Sequence, residues 1–277
     1  MKIKYKLNNA AIYALLAVLL IFALFPVYWM INTSFKTNEE IYLRVPTFWP
    51  QDFVFAAYGK LLKETMYLIS IRNSLFVSII VSLFSIIISM LAAYSIARLK
   101  IKGRTAISRS VLYTYLLPKT LLFIPLYMMA SLLNVNNSMW GLLILYPTFT
   151  IPYAMWMLIV YFKTIPKEME ESAMVDGCGP VRTMLSIFFP LVIPGIISTF
   201  IFCFTLCWNE YLYAFITISN SSWKTFPLML TDFMTDDVYA WGPLMAGSAL
   251  SCVPVLLIYT FSSKHLVTGI TMGAVKQ

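Results

Sequence analysis

Few side chains in this sequence have the chemistry of a catalytic or metal site. The 277 residues include one histidine, His265, and four cysteines. Cys203 and Cys207 lie four residues apart and share a helix face, but no histidine or carboxylate is arranged beside them to complete a metal site. A proton relay at His265 would need a membrane-embedded partner, and none is apparent. We therefore predict no metal, no cofactor and no catalytic residue.

Two ionisable residues, Lys119 and Glu210, lie deep in apolar segments. A charge inside a membrane marks a functional site by default, so both are candidates for the lining of a transport pathway. Trp208 and Asn209, which directly precede Glu210, are further candidates. The alternatives are that Lys119 and Glu210 pair or extend separately to the interface, and that Trp208 belongs to an interfacial aromatic belt.

The composition is that of a membrane protein. Hydrophobic residues make up 60% of the chain and charged residues 12%, against roughly 45–50% and about 25% in soluble domains. The apolar runs are continuous, whereas the strands of a membrane barrel alternate apolar and polar residues. We therefore predict an all-α polytopic membrane protein.

Six segments contain the roughly 20 apolar residues that a membrane span needs. They are residues 10–32, 71–97, 108–132, 139–162, 185–218 and 242–263. The first has no small-x-small cleavage site after it, which indicates a retained helix rather than a signal peptide. Pro118 lies within the third, where neighbouring helices are expected to tolerate it. Pro190 and Pro194 predict a tilted or broken helix near the start of the fifth.

Basic residues are unevenly distributed over the connecting segments, and this asymmetry predicts the orientation. Those on one face are Lys2, Lys4, Lys6, Arg98, Lys100, Lys102, Arg104, Arg109, Lys264 and Lys276. The positive-inside rule places both termini and the 98–109 loop in the cytoplasm. Residues 33–70 and 219–241, where acids such as Asp236 and Asp237 largely offset the basic residues, are then outside. The net charge of +8 thus indicates membrane topology rather than nucleic-acid binding.

Residues 163–180 are too polar to cross a membrane and predict a short cytoplasmic helix. Its first turns carry the acids Glu168, Glu170 and Glu171, which the helix dipole favours at an N-terminus. Gly177 suits the left-handed conformation that ends many helices. Ile165, Met169 and Ala173 recur every four residues and predict an apolar ridge that docks into a partner. The alternative is a helix resting on lipid, but such helices usually have a basic polar face.

These residues resemble the EAA loop of ABC-importer permeases. Glu171, Ser172, Ala173, Gly177 and Pro190 fall at the spacing of the family pattern E-A-A-x3-G-x9-I-x-L-P, with Ser172 and Phe189 in place of the usual Ala and Leu. The stretches 165–168, 208–210, 241–248 and 266–276 are similar to MalG-like permeases of maltose-type carbohydrate importers. The resemblance covers nearly the whole chain and is weakest in residues 33–70.

The resemblance implies a non-catalytic half of a translocation pathway. Two cytoplasmic ATP-binding subunits would bind a coupling helix at 165–178 through Glu171, Ser172, Ala173, Asp176 and Gly177, while a homologous second permease would complete the pathway. An extracytoplasmic solute-binding protein would dock on the 219–241 loop and deliver a sugar. This chain has no P-loop, so ATP would be hydrolysed by the partner subunits.

The resemblance also implies three regions: residues 1–70 with the first helix and an outer loop, a permease core at 71–263, and a cytoplasmic tail at 264–277 that reaches the ATPases. Three alternatives remain at this point. An ABC importer for another solute, such as a polyamine, would share the EAA loop. An ion-coupled transporter would need more intramembrane carboxylates and inverted repeats. A membrane-bound enzyme would need a cluster of His, Asp or Glu near a membrane face.

Overall fold

The computed structural model describes residues 2–99, 101–234 and 239–274, with side chains from residue 11 to residue 262 within these ranges. Lys100, Asp236, Asp237 and Lys276 lie outside the described residues, as do the side chains of Lys2, Lys4, Lys6 and Lys264. The described chain is helical and contains no strand. The predicted all-α class is confirmed.

Fourteen α-helices follow one another along the described chain. They are α1 (Lys2–Ser34), α2 (Asn38–Ile41), α3 (Ala56–Glu64), α4 (Tyr67–Arg98), α5 (Arg104–Leu116), α6 (Lys119–Leu132), α7 (Met139–Leu145), α8 (Pro147–Thr164), α9 (Glu168–Val175), α10 (Pro180–Thr183), α11 (Phe189–Trp208), α12 (Leu212–Thr217), α13 (Phe226–Leu230) and α14 (Trp241–Ala274). A π-helical turn, Met184–Phe188, joins α10 to α11, and two 3-10 turns, Ser221–Trp223 and Thr231–Met234, flank α13.

Five helical segments among the described residues are long and apolar enough to cross a membrane. They are Ala11–Ser34, Tyr67–Arg98, Met139–Thr164, Pro180–Trp208 and Trp241–Ser262. The pair α5 and α6 makes a sixth span if its two helices, bent by 95°, are counted together. Five or six crossings agree with the number predicted from the apolar runs.

The third predicted span is not one continuous helix. It breaks at Leu117, whose ψ of 131° is extended, because the ring of the following Pro118 disfavours the helical conformation of the residue before it. Pro118 directly precedes α6 as its N-cap residue, with an extended ψ of 126°. Pro118 therefore lies between two helices rather than inside one.

The fifth predicted span breaks at a different place from the one expected. Pro190 lies in the first turn of α11, which continues directly from the π-helical turn Met184–Phe188, and Pro194 lies within the same continuous helix. The helix ends instead at Trp208, and a second short helix, α12, begins at Leu212. The helix is therefore not broken at the prolines, and the tilt that was predicted as the alternative stays a prediction.

The chain divides into two compact units, of which the first comprises residues 1–67 and 230–253. Within it, α14 packs closely on its neighbours through Gly247, where an added Cβ would lie 2.5 Å from Leu230 Cδ2. The Tyr67 hydroxyl donates a 2.7 Å hydrogen bond to the Gly247 carbonyl. The segment after α1 is ordered by Glu40, whose carboxylate accepts hydrogen bonds from the Gln51 N–H and the Thr47 hydroxyl.

The second unit comprises residues 68–229 and 254–277, and its buried apolar clusters include two that join several helices. One joins α4, α7 and α12 through side chains such as Val81, Leu145 and Tyr213. The other joins the ends of α4 and α8 to the start of α11. Close contact between α8 and α11 requires Gly195, since a Cβ there would lie 2.5 Å from the Tyr161 ring.

Candidate functional site

The acidic stretch forms α9, which is shorter than the predicted helix at 165–178. It begins at Glu168 and ends at Val175, with Gly177 at a φ of +76°. The Gly177 N–H donates to the Met174 carbonyl and the Cys178 N–H to the Ala173 carbonyl, at 3.1 and 2.9 Å. This pair of bonds is the Schellman arrangement, which satisfies carbonyls at a helix end. The predicted left-handed conformation of Gly177 is confirmed.

The face that α9 exposes differs from the predicted one. Ala173 is only 2% exposed and packs within this chain. Ile165 precedes the first residue of α9 and so does not extend a ridge along it. The prediction that Ile165, Met169 and Ala173 form the docking ridge is therefore wrong, because the helix begins three residues after Ile165 and turns Ala173 inward.

The most exposed apolar side chains of α9 lie at its C-terminal end, while Met169 in its first turn is 39% exposed. Val175 is 88% exposed and Met174 is 56% exposed. Glu171, Ser172 and Asp176 are exposed beside them. The sequence signal for this surface is the pair of apolar residues directly before Asp176 and Gly177, which a spacing of four residues does not include.

Lys119 lies in the second unit, at the bend between α5 and α6. Its Nζ stands 4.1 Å from the centroid of the Phe149 ring, a cation–π contact, and its carbonyl accepts a 3.2 Å hydrogen bond from the Tyr213 hydroxyl. A cavity of about 200 Å³ opens here, lined by polar residues and rings that include Thr114, Tyr115, Lys119, Thr148, Phe149 and Tyr213. Hydroxyls, aromatic rings and one cation therefore converge on one space.

Glu210 caps a helix. Its carboxylate accepts hydrogen bonds from the N–H groups of Tyr213 and Ala214, at 3.0 and 3.3 Å, in the first turn of α12. This is the place where the helix dipole favours a negative charge. Tyr213 links Glu210 to Lys119, because its hydroxyl donates to the Lys119 carbonyl. The structure thus brings the two candidates near one another, although Lys119 packs on Phe149 and Glu210 binds the start of α12.

Trp208 and Asn209 are placed differently from Lys119. Trp208 is 2% exposed and packs between Phe204 and Phe226, with ring centroids 5.5 and 4.6 Å away. Asn209 is exposed, and its side-chain amide donates a 3.1 Å hydrogen bond to the Thr205 carbonyl at the end of α11. Both residues thus make local contacts at the end of α11.

The loop after α12, residues 219–224, is held by the side-chain amides of two asparagines in other parts of the second unit. The Asn137 Oδ1 accepts hydrogen bonds from the N–H groups of Ser219 and Asn220. The Asn73 side chain donates to the carbonyls of Ser222 and Lys224, at 2.9 and 3.0 Å. Residues 219–223 are exposed. The loop therefore presents a fixed, polar surface.

A second cavity, of about 370 Å³, lies in the first unit between the end of α1 and the start of α14. Trp29, Tyr42 and Trp241 supply aromatic walls, and Lys36 and Glu40 supply charge. The Lys36 ammonium lies 4.9 Å from the Trp29 ring centroid. Burial lowers the pKa of Lys36, and the negative charge of Glu40 opposes this shift.

Metal ligands are not clustered in the part of the chain that the structure describes: no group of three His, Cys, Asp or Glu residues is placed to hold an ion. All four cysteines are free thiols, with Cys203 and Cys207 buried.

Similarity to known proteins shows the family of the chain. A family model described as "binding-protein-dependent transport system inner membrane component" matches residues 85–271. The chain belongs to this family. It is a multi-pass membrane permease, and as such a non-catalytic subunit.

Curated relatives resemble the permease over nearly its whole length. The inner membrane ABC transporter permease protein YcjP of Escherichia coli is 36% identical over 275 residues, which cover 99% of this chain and 98% of the relative. The diacetylchitobiose uptake system permease protein DasC of Streptomyces coelicolor is 32% identical and 94% of each chain is covered.

A solved structure shows the same fold. It is the crystal structure of a bacterial ABC transporter involved in the import of the acidic polysaccharide alginate, and it superposes with a TM-score of 0.79 at 20% sequence identity. The superposition covers 94% of this permease and 97% of that chain. The predicted fold of an ABC-importer permease is confirmed.

Proposed function

We propose that the permease is a transmembrane subunit of an ATP-driven carbohydrate importer. The observation that carries this proposal is the family match, which spans α9 together with the helices on both sides of it. Relatives named for diacetylchitobiose and for trehalose and maltose favour a sugar over a polyamine. The Escherichia coli relative that is named as an ABC transporter permease favours an ATP-driven importer over an ion-coupled transporter or a membrane-bound enzyme.

We propose that two cytoplasmic ATP-binding subunits and a homologous second permease complete the assembly. The exposed Val175 and Met174 offer a compact apolar contact for an ATPase groove, and the exposed Glu171, Ser172 and Asp176 offer hydrogen-bonding groups around it. An apolar centre with a polar rim is the usual arrangement of a protein interface. Ala173 and Gly177 then shape α9 rather than touch the partner.

A solute-binding protein is the partner that the family description names, and we propose that it docks on the loop at 219–241. The rigid attachment of residues 219–224 to Asn73 and Asn137 supports this role, because a preformed surface loses little entropy on binding. Asp236 and Asp237, which the sequence also places in this loop, lie outside the described residues.

We propose that the cavity beside Lys119 lines the sugar pathway. Sugars are bound by aromatic rings that stack on their apolar faces and by polar groups that satisfy their hydroxyls. Tyr115, Phe149 and the Thr148 hydroxyl provide both kinds of group around Lys119. Glu210 supports the cavity by fixing the start of α12, and Asn209 and Trp208 hold the end of α11 next to it.

One experiment tests the substrate class and the pathway together. The complex is purified with its binding protein, and the stimulation of ATP hydrolysis is measured over a panel of sugars and polyamines. We expect stimulation by one or a few sugars only. The Lys119→Met variant should need at least about tenfold more sugar-loaded binding protein or transport about tenfold less sugar, because it removes one charge-assisted contact. Stimulation by polyamines alone, or Lys119→Met kinetics equal to those of the wild type, would contradict these assignments.

The orientation follows from the basic residues. We propose that both termini and the 98–109 loop are cytoplasmic and that residues 219–224 are outside. In a Cys178→Ser background, a membrane-impermeant thiol reagent applied to whole cells should label a cysteine at Ser222 and spare one at Lys102, both of which are exposed positions. Labelling at position 102, or protection at position 222, would reverse the assignment.

The predicted division into residues 1–70, 71–263 and 264–277 becomes a proposal about the C-terminus. The helix α14 continues to Ala274, so the predicted tail extends the last helix rather than following it as a separate segment. We propose that this extension reaches the ATPase subunits. Residues 275–277 lie outside the described part of the chain.

A further inference from the structure

Arg98, the last residue of α4, binds the end of a neighbouring helix. Its Nη2 donates hydrogen bonds to the carbonyls of Phe162 and Ile165, where α8 ends. Carbonyls in the last turn of a helix lack the N–H partners that the interior carbonyls have, and the helix dipole makes this end negative. A guanidinium is therefore well suited to this position, since it offers several donors and a fixed positive charge.

The same side chain also contacts the segment that leaves α9. The Arg98 Cζ lies 4.8 Å from the centroid of the Phe188 ring, in the π-helical turn before α11. Beneath it, Tyr94, Phe162 and Phe188 pack pairwise, with centroids 5.4 to 6.0 Å apart. Arg98 thus touches both the chain that enters the α9 loop and the chain that leaves it.

A buried acid connects this contact to α9 itself. Glu170, on the inner face of α9, is only 9% exposed, and its charge acts on both Arg98 and Tyr94. The Arg98 Nε is buried without a hydrogen-bond partner. The guanidinium therefore lies in the field of an acid carried by α9 while it holds the two segments that lead to and from that helix.

We propose that Arg98 is a positioning residue that makes α9, the end of α8 and the start of α11 move together with α4. The inference rests on the proposed function, because it assigns to Arg98 the transmission of ATPase motion from α9 to a span that α9 does not adjoin in sequence. A basic residue that served only the orientation of the protein would need no partners. Arg109, in the same basic segment but exposed, is such a residue.

The test compares Arg98→Met and Arg98→Lys with the matched control Arg109→Met. Lysine keeps the charge but lacks the planar fork that serves two carbonyls and stacks on a ring. Each complex is reconstituted into vesicles, and sugar uptake is measured per ATP hydrolysed and per complex. We expect this ratio to fall at least about tenfold in Arg98→Met and by a smaller factor in Arg98→Lys. The ratio should be unchanged in Arg109→Met, and the ATPase subunits should stay bound in all three.

The outcomes separate this inference from the function on which it rests. An unchanged ratio in Arg98→Met, beside normal uptake by the wild type, would overturn the role of Arg98 alone. Loss of assembled complex with an unchanged ratio in what remains, or failure of both Arg98 variants to assemble, would show a purely structural role and overturn it as well. A wild-type complex without ATP-dependent sugar uptake would overturn the proposed function and this inference with it.

Discussion

Replacement of Gly177 by valine is expected to uncouple ATP hydrolysis from uptake while the permease remains in the membrane. Gly177 has a φ of +76°, and a Cβ placed there meets nothing within 4 Å. The penalty for valine is therefore conformational, about 1–2 kcal/mol for the left-handed region and more for a β-branched side chain. A change in the conformation of the turn relieves this strain at the lowest energy. Such a change breaks the hydrogen bonds to the carbonyls of Ala173 and Met174 and moves the exposed end of α9. We expect sugar uptake to fall at least about tenfold.

A matched set of variants isolates this conformational cause. Gly179 also has open space around its Cα, but its φ of −74° suits any residue, so Gly179→Val should transport nearly as well as the wild type. Sugar uptake by Gly177→Asn should lie between that of Gly177→Val and that of the wild type, because asparagine adopts the left-handed conformation more readily than valine. Uptake and retained ATPase subunit are measured on the same membranes. Equal uptake by Gly177→Val and Gly179→Val would contradict a role for the turn.

Replacement of Val175 by aspartate is expected to release the ATPase subunits from the membrane. Val175 is 88% exposed in this chain, and the proposed contact buries it in a partner groove. Burial of a valine side chain contributes about 1.5–3 kcal/mol, and an unpaired carboxylate in the same groove costs more. The affinity for the ATPase subunits should therefore fall at least about tenfold. The amount of ATPase subunit that co-purifies with the permease measures the effect.

Ile101→Asp is the control for this variant. Ile101 is 41% exposed in the basic segment between α4 and α5, so the substitution adds the same charge to a loop that the same orientation places in the cytoplasm. It should retain the ATPases. Wild-type retention in Val175→Asp would remove the end of α9 from the interface. Ala173→Arg is not a useful probe of docking, because Ala173 is buried within the permease and a large side chain there would disturb α9 itself.

The number of spans and the existence of α9 could be predicted from the sequence because both depend on local composition. Continuous apolar runs have few alternatives in a bilayer, and the acidic stretch closed by Gly177 has the signals of a short capped helix. The helix break at Leu117 could not be predicted in the same way. Proline is common in membrane helices, so its presence does not reveal whether a given span continues through it or bends.

The features of the site that could not be predicted depend on contacts between residues that are distant in sequence. Arg98 counts as one more basic residue in a cytoplasmic loop until the fold brings α8 and Phe188 to it. Glu210 suggests a pathway charge until its carboxylate is found at the start of α12, three and four residues further on. The orientation of Ala173 likewise depends on where α9 begins and what it packs against, and neither follows from the spacing of apolar residues.

Uptake by the reconstituted complex tests the proposed carbohydrate importer most directly. The permease is purified with its ATPase and permease partners, placed in vesicles that contain ATP, and supplied from outside with a labelled sugar selected by the ATPase panel. We predict accumulation of sugar inside the vesicles only when both ATP and the sugar-loaded binding protein are present. Uptake that continues without ATP or without the binding protein, or no uptake of any sugar with both present, would contradict this function.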